Sequence, residues 1–482
     1  MTLTSSHIAL ILPLTMTAAT PVLVMLSLAI KRHHGLTMLL ATSGLLVALL
    51  SSFSIDANTP TAVTSLLVVD RISWFFSALI LFCALISLFF SYHYMQGFTG
   101  NKEELYLLLT VSCTGALVMV SSQHMATVFL GLEILTVPLY GMVAYTFRNG
   151  HSLEAAIKYL ILSATATAFL LFGMALLYAQ TGNLSFSGFA ATLSASNFSS
   201  SPLLLTGSAM LLIGLAFKLS FAPFHFWTPD VYQGAPAPVG GFLASASKVA
   251  AFAVLMRFLL ETPVGQQASV ANAFIVIAIL SILFGNLLAL QQANLKRLLA
   301  YSSIAHFGYL LIALVANNAL SKEAVNLYLL VYALTTLGCF GVISLVSSPF
   351  AGEDKEHLSA YRGLFWQSPS LAVIFAIMML SLAGIPLTAG FMAKLFVISS
   401  GVDAHLWLLL STLIIGSAIG IYYYLRVIVT LFMNAPTKTT PTYPAFGLNS
   451  MLLSVLALAV LYIGIFPQTI LQWLQTTGFV AL

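Results

Sequence analysis

The chain alternates between long apolar runs and short connections that are rich in polar residues, proline or glycine. Each run is near the length that an α-helix needs to cross a hydrocarbon core of about 30 Å. Because the runs are continuous and do not alternate between apolar and polar positions, they predict transmembrane helices and exclude a β-barrel. About 14 spans are predicted, near residues 7–30, 36–54, 72–95, 104–121, 124–147, 152–179, 202–232, 238–260, 267–290, 296–317, 322–346, 369–400, 404–432 and 447–475.

Composition supports the same conclusion. The 482 residues are 60% hydrophobic and 6% charged, whereas soluble domains carry roughly 25% charged residues. The net charge of +4 comes mostly from the connections and forms no basic block, which excludes a nucleic-acid partner. The three cysteines lie far apart inside apolar runs, and no dinucleotide-binding, phosphate-loop or haem-attachment motif occurs. The sequence thus predicts an all-α integral membrane protein that lies in a lipid bilayer and binds no metal or redox cofactor itself.

Basic residues are distributed unequally between alternate connections, which predicts the orientation in the membrane. By the positive-inside rule, the richer set of connections faces the cytoplasm, and both termini lie on the opposite side. The N-terminus has no basic n-region or small-residue cleavage site, so the first run is expected to be a retained span. The charged stretch 350–363 is expected to be a solvated cytoplasmic loop or surface helix. The richer set holds Lys31, Arg32, Lys102, Arg148, Lys296, Arg297, Lys355, Arg362, Arg426 and Lys438, and the poorer set holds Arg71, Arg257 and Lys322.

An internal repeat relates two parts of the chain at an offset of 169 residues. The segment SLEAAIKYL at 152–160 aligns with SKEAVNLYL at 321–329. The same offset pairs Tyr140 with Tyr309, Tyr159 with Tyr328, Thr167 with Thr336 and Arg257 with Arg426. The copies lie five predicted spans apart, and an odd number of spans inverts the second copy, as in many transporters. The expected segments are N-terminal helices (1–103), a first inverted repeat of five helices (104–260), a second (261–432) and a C-terminal helix (433–482).

Each repeat contains one long apolar run that is interrupted. The first, 202–232, is interrupted near Pro223, and the second, 369–400, is interrupted at Gly384-Ile385-Pro386. Proline removes a backbone donor and clashes with the preceding turn. An ordinary proline kink explains either interruption alone, but matched interruptions in two halves indicate the broken helices of a transport pathway.

Four charged residues, Glu133, Lys218, Lys248 and Lys394, fall near the middle of predicted spans. A charge at the bilayer centre costs about 2.5–3.5 kcal/mol on insertion scales, so such residues usually have a function. Glu133 is the one acid among lysines, and we expect it to form an ion pair with Lys218. Burial disfavours the charged form of a lysine and a nearby carboxylate favours it, so such a pair can take up and release a proton. The alternative is a static salt bridge between helices.

Three further residues are possible proton relays. Lys158 lies about two turns inside the cytoplasmic end of its predicted helix. It is also placed to extend toward the interface, or to pair with Glu154 four residues earlier, without any function in transport. His225 and His306 titrate near neutrality and could bridge the lysines, but a histidine inside a membrane is as often a packing residue. No cluster of carboxylates suited to Na⁺ is visible, so protons are the expected ion.

Long motifs resemble the proton-conducting, antiporter-like membrane subunits of bacterial respiratory complex I (NADH–quinone oxidoreductase), and most closely the subunit-N branch of that family. The similarity extends over essentially the whole chain. The motifs are GLEILTVPLYG at 131–141, RNGHSLEAAIKYLILSA at 148–164, FKLSFAPFHFWTPDVYQGAPAPV at 217–239, NLKRLLAYSSIAHFGYLL at 294–311, YRGLF at 361–365 and MMLSLAGIPLTAGFMAKL at 378–395.

The resemblance implies a row of proton-carrying residues. Glu133 matches the glutamate that controls the lysine of the first broken helix, Lys218; Lys248 matches the central lysine, and Lys394 the charged residue of the second broken helix. It further implies a multi-pass subunit of the bacterial cytoplasmic (inner) membrane whose partners include sister antiporter-like subunits. NADH, FMN, iron–sulfur clusters and quinone would be bound by other subunits. Two alternatives remain: an Mrp-type cation/proton antiporter subunit, and a membrane scaffold held by static ion pairs.

Overall fold

The computed structural model describes residues 5–55, 59–98, 100–146, 150–195, 201–347, 354–434 and 447–476. Within these ranges the chain forms 21 α-helices. They are α1 (Ser5–Leu10), α2 (Leu12–Ile30), α3 (His34–Ser52), α4 (Arg71–Met95), α5 (Glu104–Val120), α6 (Met125–Val143), α7 (Gly150–Thr181), α8 (Phe186–Ala195), α9 (Pro202–Lys218), α10 (Trp227–Gly234), α11 (Ala237–Phe242), α12 (Lys248–Glu261), α13 (Ala268–Leu290), α14 (Leu295–Ala316), α15 (Ala319–Val346), α16 (Leu364–Gln367), α17 (Pro369–Ala383), α18 (Ala389–Asp403), α19 (Trp407–Phe432), α20 (Leu448–Ile465) and α21 (Pro467–Thr476).

The helical content agrees with the predicted all-α class. Eleven helices of the described residues are long and apolar enough to cross a membrane, with α11 and α12 counted as one. The shorter apolar helices α5, α9 and α17 also lie in predicted spans. The exact number of 14 membrane crossings therefore stays a prediction.

One small β-hairpin was not expected from the sequence. Strand β1 (Thr61–Ala62) pairs antiparallel with β2 (Val68–Val69), in register Thr61 with Val69 and Ala62 with Val68. The Val68 amide donates to the Ser121 carbonyl at the end of α5. The hairpin thus covers one end of the helical bundle.

Helices α12, α14 and α15 lie at the centre of the bundle and are almost completely buried, whereas α2, α3 and α20 expose most of their surface. Small residues allow neighbouring helices to approach closely, as is usual in membranes. A Cβ atom added to Gly115 on α5 would lie 2.2 Å from the backbone nitrogen of Leu135 on α6. One added to Gly173 on α7 would lie 2.6 Å from the carbonyl oxygen of Gly207 on α9. Substituting these glycines would separate the helices that position the charged residues.

Both interrupted runs end one helix and begin another. In the first, α9 ends at Lys218 and α10 begins at Trp227, and in the second, α17 ends at Ala383 and α18 begins at Ala389. The two helix ends have the same hydrogen-bond pattern. The Phe221 amide donates to the Ala216 carbonyl, and the Ile385 amide donates to the Leu380 carbonyl. In each case the donor lies five residues after the acceptor, beside a residue with positive φ, Ser220 or Gly384.

The stretch 350–363 differs from the expected solvated surface. Residues 350–353 lie outside the described ranges, but the side chain of Asp354 is only 4% exposed and that of Glu356 is 16% exposed. Both carboxylates face Lys296, whose side chain is 1% exposed. The prediction was wrong for these two residues because their counter-charge lies far away in sequence.

Candidate proton pathway

Lys218 is the last residue of α9, and its side chain is surrounded by neutral groups. The residue is 2% exposed. Its Nζ atom donates to Thr136 Oγ1 at 2.5 Å and to the Tyr159 hydroxyl at 2.9 Å. At the same break, the Phe217 carbonyl accepts from the Trp227 indole at 2.9 Å and from the Ser220 amide at 3.0 Å. At the break, the ammonium group of Lys218 therefore donates hydrogen bonds to side chains of α6 and α7.

Glu133 does not pair directly with Lys218, which corrects the sequence prediction. Its half-buried carboxylate accepts a hydrogen bond from Thr167 Oγ1 at 2.9 Å. Thr136, about one turn further along α6, takes the position next to the lysine instead. Glu133 therefore lies about one turn of α6 away from the residue that binds Lys218. Glu133 and Lys218 thus bind different threonines and form no salt bridge with each other.

Lys248 follows one turn of π-helix, Leu243–Ser247, that continues α11 into α12. Such turns often occur at functional sites. The residue is 1% exposed, and its Nζ atom donates to Ser303 Oγ on α14 at 2.6 Å. It also lies 4.9 Å from the ring centre of Phe307. Ser303 in turn accepts from the Tyr332 hydroxyl at 2.8 Å.

His306 is buried three residues after Ser303 on the same helix. Its Nδ1 atom is 2.7 Å from the Tyr328 hydroxyl, and its Nε2 atom is 3.1 Å from the Tyr424 hydroxyl. Tyr424 also hydrogen-bonds Ser302. The His306 ring lies 5.7 Å from that of Tyr309, and the Tyr309 ring in turn lies 5.4 Å from Lys394 Nζ.

Lys394 points from α18 back to the end of α17. Its Nζ atom donates to the free carbonyl of Ala383 at 2.7 Å and to Ser417 Oγ at 2.8 Å. It also lies 5.4 Å from the ring centre of Tyr309. The second break thus places a lysine against neutral partners, as the first break does.

Two predicted relay residues lie apart from these contacts. Lys158 is exposed and forms ion pairs with Glu154 at 2.7 Å and with Asp230 at 2.8 Å, and Asp230 also binds Arg297. His225 is buried and stacks on Phe226, and its Nδ1 atom has no hydrogen-bond partner among the described residues. The structure does not bring either residue into hydrogen-bond contact with Lys218, Lys248 or Lys394.

Four of the hydroxyl groups that hold the lysines and His306 were not singled out from the sequence, namely those of Thr136, Tyr159, Tyr328 and Ser417. The repeat contained a signal for two of them, because Tyr159 and Tyr328 are paired at its offset. Tyr159 contacts Lys218 and Tyr328 contacts His306, so each copy uses this tyrosine beside a titratable group. Within the described ranges, no group of three or more His, Cys, Asp or Glu side chains is placed to hold a metal ion.

Comparison with known proteins supports one family. The family model described as the NADH:quinone oxidoreductase/Mrp antiporter transmembrane region matches residues 122–420. The chain is 50% identical to NADH-quinone oxidoreductase subunit N of Ectopseudomonas mendocina, over 99% of this chain and 98% of the relative. A chain of respiratory complex I from Thermus thermophilus with bound aureothin superposes with a TM-score of 0.82 at 35% identity, covering 95% of this chain and 98% of that one.

Two more distant structures share the fold. A chain of the archaeal membrane-bound sulfane sulfur reductase has a TM-score of 0.84 at 23% identity, covering 98% of this chain and 97% of that one. A chain of the Mrp complex from a Dietzia species has the same TM-score at 19% identity, covering 99% and 97%. The full-length identity to subunit N is much higher than either. The chain belongs to the NADH:quinone oxidoreductase/Mrp antiporter membrane family and, within it, to the group of NADH-quinone oxidoreductase subunit N.

Proposed function

We propose that this chain is a proton-translocating membrane subunit of an NADH–quinone oxidoreductase. The observation that carries the proposal is the environment of Lys218, Lys248 and Lys394. All three are buried, and among the described residues they bond only to hydroxyl groups and one backbone carbonyl. A lysine held by neutral partners can exchange its proton without breaking an ion pair, and buried lysines readily serve in proton transfer.

The other buried basic residues of the helices show the contrast. Arg257 is bound by Asp70 at 2.7 Å, and Lys296 is bound by Asp354 at 2.5 Å. A scaffold of static ion pairs would hold every buried cation in this way, because an unpaired charge in the membrane is costly. The three neutral-partnered lysines therefore argue against the scaffold hypothesis.

The proposed order of proton-carrying groups runs from Glu133 through Lys218 and Lys248 to Lys394. Glu133 lies about one turn before Thr136 on α6, and Thr136 binds Lys218. Between Lys248 and Lys394, Ser303 and His306 offer polar groups on one face of α14. His306 is thus a proposed relay, whereas we assign Lys158 and His225 no role in the row of proton-carrying residues.

The relatives suggest the setting. One relative is named a subunit of NADH-quinone oxidoreductase, and one structural neighbour is a complex I chain. We propose that this chain assembles in the bacterial inner membrane with sister antiporter-like subunits and carries out no redox step. NADH, FMN, iron–sulfur clusters and quinone would then be bound by other subunits. The likeness to the Mrp complex, at 19% identity, concerns the fold alone and gives less support to a cation/proton antiporter.

The test is Lys218→Ala in the assembled complex. We expect proton pumping coupled to NADH oxidation to fall at least tenfold, because the substitution removes the first proton-carrying lysine. Lys322→Ala is the matched control, since Lys322 lies at the start of α15 and outside the row. Pumping at the wild-type rate in an assembled Lys218→Ala complex would remove Lys218 from the pathway.

A further inference from the structure

A second buried charge cluster lies outside the proton-carrying row, at the end of the bundle where α14 begins. The Nζ atom of Lys296 is 2.5 Å from Asp354 Oδ2 and 3.8 Å from Glu356 Oε1. It also donates to the backbone carbonyls of Gln233, at 2.8 Å, and Ala235, at 2.6 Å. We call residues 354–358, which follow α15, the acidic segment. Lys296 therefore joins this segment to the linker between α10 and α11.

Both carboxylates have further partners that fix their positions. Asp354 accepts from the Tyr94 hydroxyl of α4 at 2.6 Å. Glu356 accepts from Gln233 Nε2 at 2.9 Å and from Asn294 Nδ2 at 2.7 Å. Charge-assisted hydrogen bonds of this kind are among the stronger ones in proteins. The acidic segment is thus bound to three separate parts of the bundle.

Backbone contacts hold the same segment against the start of α14. The Leu295 amide donates to the Glu356 carbonyl at 2.7 Å, and the Leu358 amide donates to the Ala293 carbonyl at 2.9 Å. A short antiparallel bridge pairs Asn294 with His357. The segment is therefore attached to the start of α14 through its backbone as well as through its side chains.

The linker that Lys296 binds leads directly to Lys248. After Ala235 the chain passes through α11 and the π-helical turn and reaches Lys248 at the start of α12. The carbonyls at the end of α10 lack helical partners, and a cation is favoured there. Lys296 itself lies on α14, seven residues before Ser303, which binds Lys248. The same two parts of the chain are thus joined twice, once by Lys296 and once by the Lys248–Ser303 hydrogen bond.

We propose that Lys296, Asp354 and Glu356 form a latch that positions Lys248 against Ser303. The latch fixes the α10–α11 linker to α14, so that the lysine and its hydroxyl partner keep their 2.6 Å contact. The three residues position the pathway and do not themselves carry the transported proton. This inference rests on the proposed function, because it assigns the latch a role in pumping.

The test combines hydrogen–deuterium exchange with pumping in the assembled complex. In Lys296→Met and Asp354→Asn we expect peptides that cover 229–242 to exchange at least tenfold faster than in the wild type. We also expect the number of protons pumped per NADH to fall at least threefold. Lys296→Arg keeps the charge and should retain both wild-type values. His357→Gln is the matched control, because its exposed side chain lies next to Glu356.

Unchanged exchange in 229–242 for both variants would overturn the latch. Faster exchange with wild-type pumping would overturn its positioning role and leave only a structural contact. If neither variant assembles, Tyr94→Phe removes a single hydroxyl donor to Asp354, and exchange less than twofold faster in that variant would overturn the latch. Failure of the proposed function is recognised separately, because it would appear as wild-type pumping in Lys218→Ala.

Discussion

At the scale of single residues, Gly384 shows how backbone conformation and a proton-carrying side chain depend on each other. It ends α17 with φ of +80°, a conformation that side chains with a Cβ atom disfavour. A Cβ atom at this position would lie 2.7 Å from Lys394 Cδ and 3.0 Å from Lys394 Nζ. The glycine therefore allows the helix to end and allows the lysine to reach the Ala383 carbonyl.

Gly384→Ala is expected to impair pumping, because the new methyl group would displace Lys394. The left-handed backbone alone costs about 1–2 kcal/mol for a residue with a Cβ atom. Gly182→Ala is the matched control, since Gly182 also has positive φ, +65°, and a Cβ there meets nothing within 4 Å. We expect proton pumping by assembled complexes to fall severalfold in Gly384→Ala only. Equal effects in the two variants would show that backbone strain, and not Lys394, is responsible.

The sequence identified the buried charges but not their partners. Lys218, Lys248 and Lys394 were predicted from their place in apolar runs, and the structure buries all three. The partner of Glu133 was predicted wrongly, because hydrophobic periodicity does not tell which polar group of a neighbouring helix reaches a side chain. Lys296 was taken as an ordinary loop cation for the same reason.

At the scale of helices, a buried arginine joins the start of α4 to the end of α12. The guanidinium of Arg257 binds both oxygens of Asp70, at 2.7 and 2.8 Å, and binds Glu261 at 2.9 Å. Its side chain is 2% exposed, whereas that of Glu261 is 38% exposed. Burial on its own raises the pKa of the Asp70 carboxyl, but the charge and hydrogen bonds of Arg257, with bonds from Ser73, hold that pKa below its ordinary value.

Asp70→Asn is expected to destabilise the complex, because it leaves a buried arginine without its bidentate partner. Breaking a buried ion pair costs about 3–5 kcal/mol. Asparagine caps a helix as well as aspartate does, so the cap of α4 is kept and the charge alone is removed. Glu261→Gln is the control, since the Glu261 side chain is 38% exposed and Arg257 keeps both hydrogen bonds to Asp70 in that variant. The measurement is the thermal unfolding midpoint of the purified complex, and a loss no larger than that of the control would contradict the prediction.

The pH dependence of this stabilisation follows from the direction of the pKa shift. A carboxyl whose folded pKa is lowered stabilises the fold above its unfolded value, about 3.9, and loses that effect as the pH falls through the folded pKa. The difference between the wild type and Asp70→Asn should therefore stay constant from pH 8 to 5. A difference that disappears within that range would show that another group titrates.

The helix boundaries illustrate what local sequence does and does not determine. Proline and glycine near 223 and 384–386 predicted interruptions, and α9 and α17 end within a few residues of them. The π-helical turn before Lys248 has no such marker within it, because LASAS contains neither proline nor glycine. The β-hairpin is likewise too short to give a strand pattern.

At the scale of the whole molecule, the predicted orientation concerns the two ends of the bundle. We define the basic face as the end that carries Lys31, Lys102, Arg297, Arg362 and Arg426. Arg148 and Lys438, which the prediction also used, lie outside the described residues. The opposite end carries Arg71, Arg257 and Lys322. Helix α13, with 23 residues, spans about 35 Å between these ends, at 1.5 Å per residue.

The inverted repeat is also a property of the whole molecule, and it stays a prediction. The close packing of α5 on α6 and of α13 on α14 is compatible with it, since these pairs occupy corresponding places in the two proposed halves. Arg257 and Arg426, paired at the repeat offset, lie near the ends of α12 and α19 and would face opposite sides of the membrane. Orientation of these two ends can be measured directly.

Cysteine labelling tests which end faces the cytoplasm. The native cysteines, Cys83, Cys113 and Cys339, are fully buried and should give little background with a membrane-impermeant maleimide. Ser359→Cys places an exposed thiol at the basic face, and Gln266→Cys places one at the opposite end. Because basic connections stay in the cytoplasm, we expect Ser359→Cys to react in inside-out vesicles and Gln266→Cys in right-side-out vesicles.

The two variants control for each other, because each carries one new thiol in an exposed connection and differs only in the end of the bundle that bears it. A reagent that leaks across the membrane would label both variants in both vesicle types and would be recognised at once. The reverse pattern, with Ser359→Cys labelled only in right-side-out vesicles, would place the basic face outside the cytoplasm. The latch at Lys296 would then lie on the side where protons are released, since it belongs to the same face as Arg297.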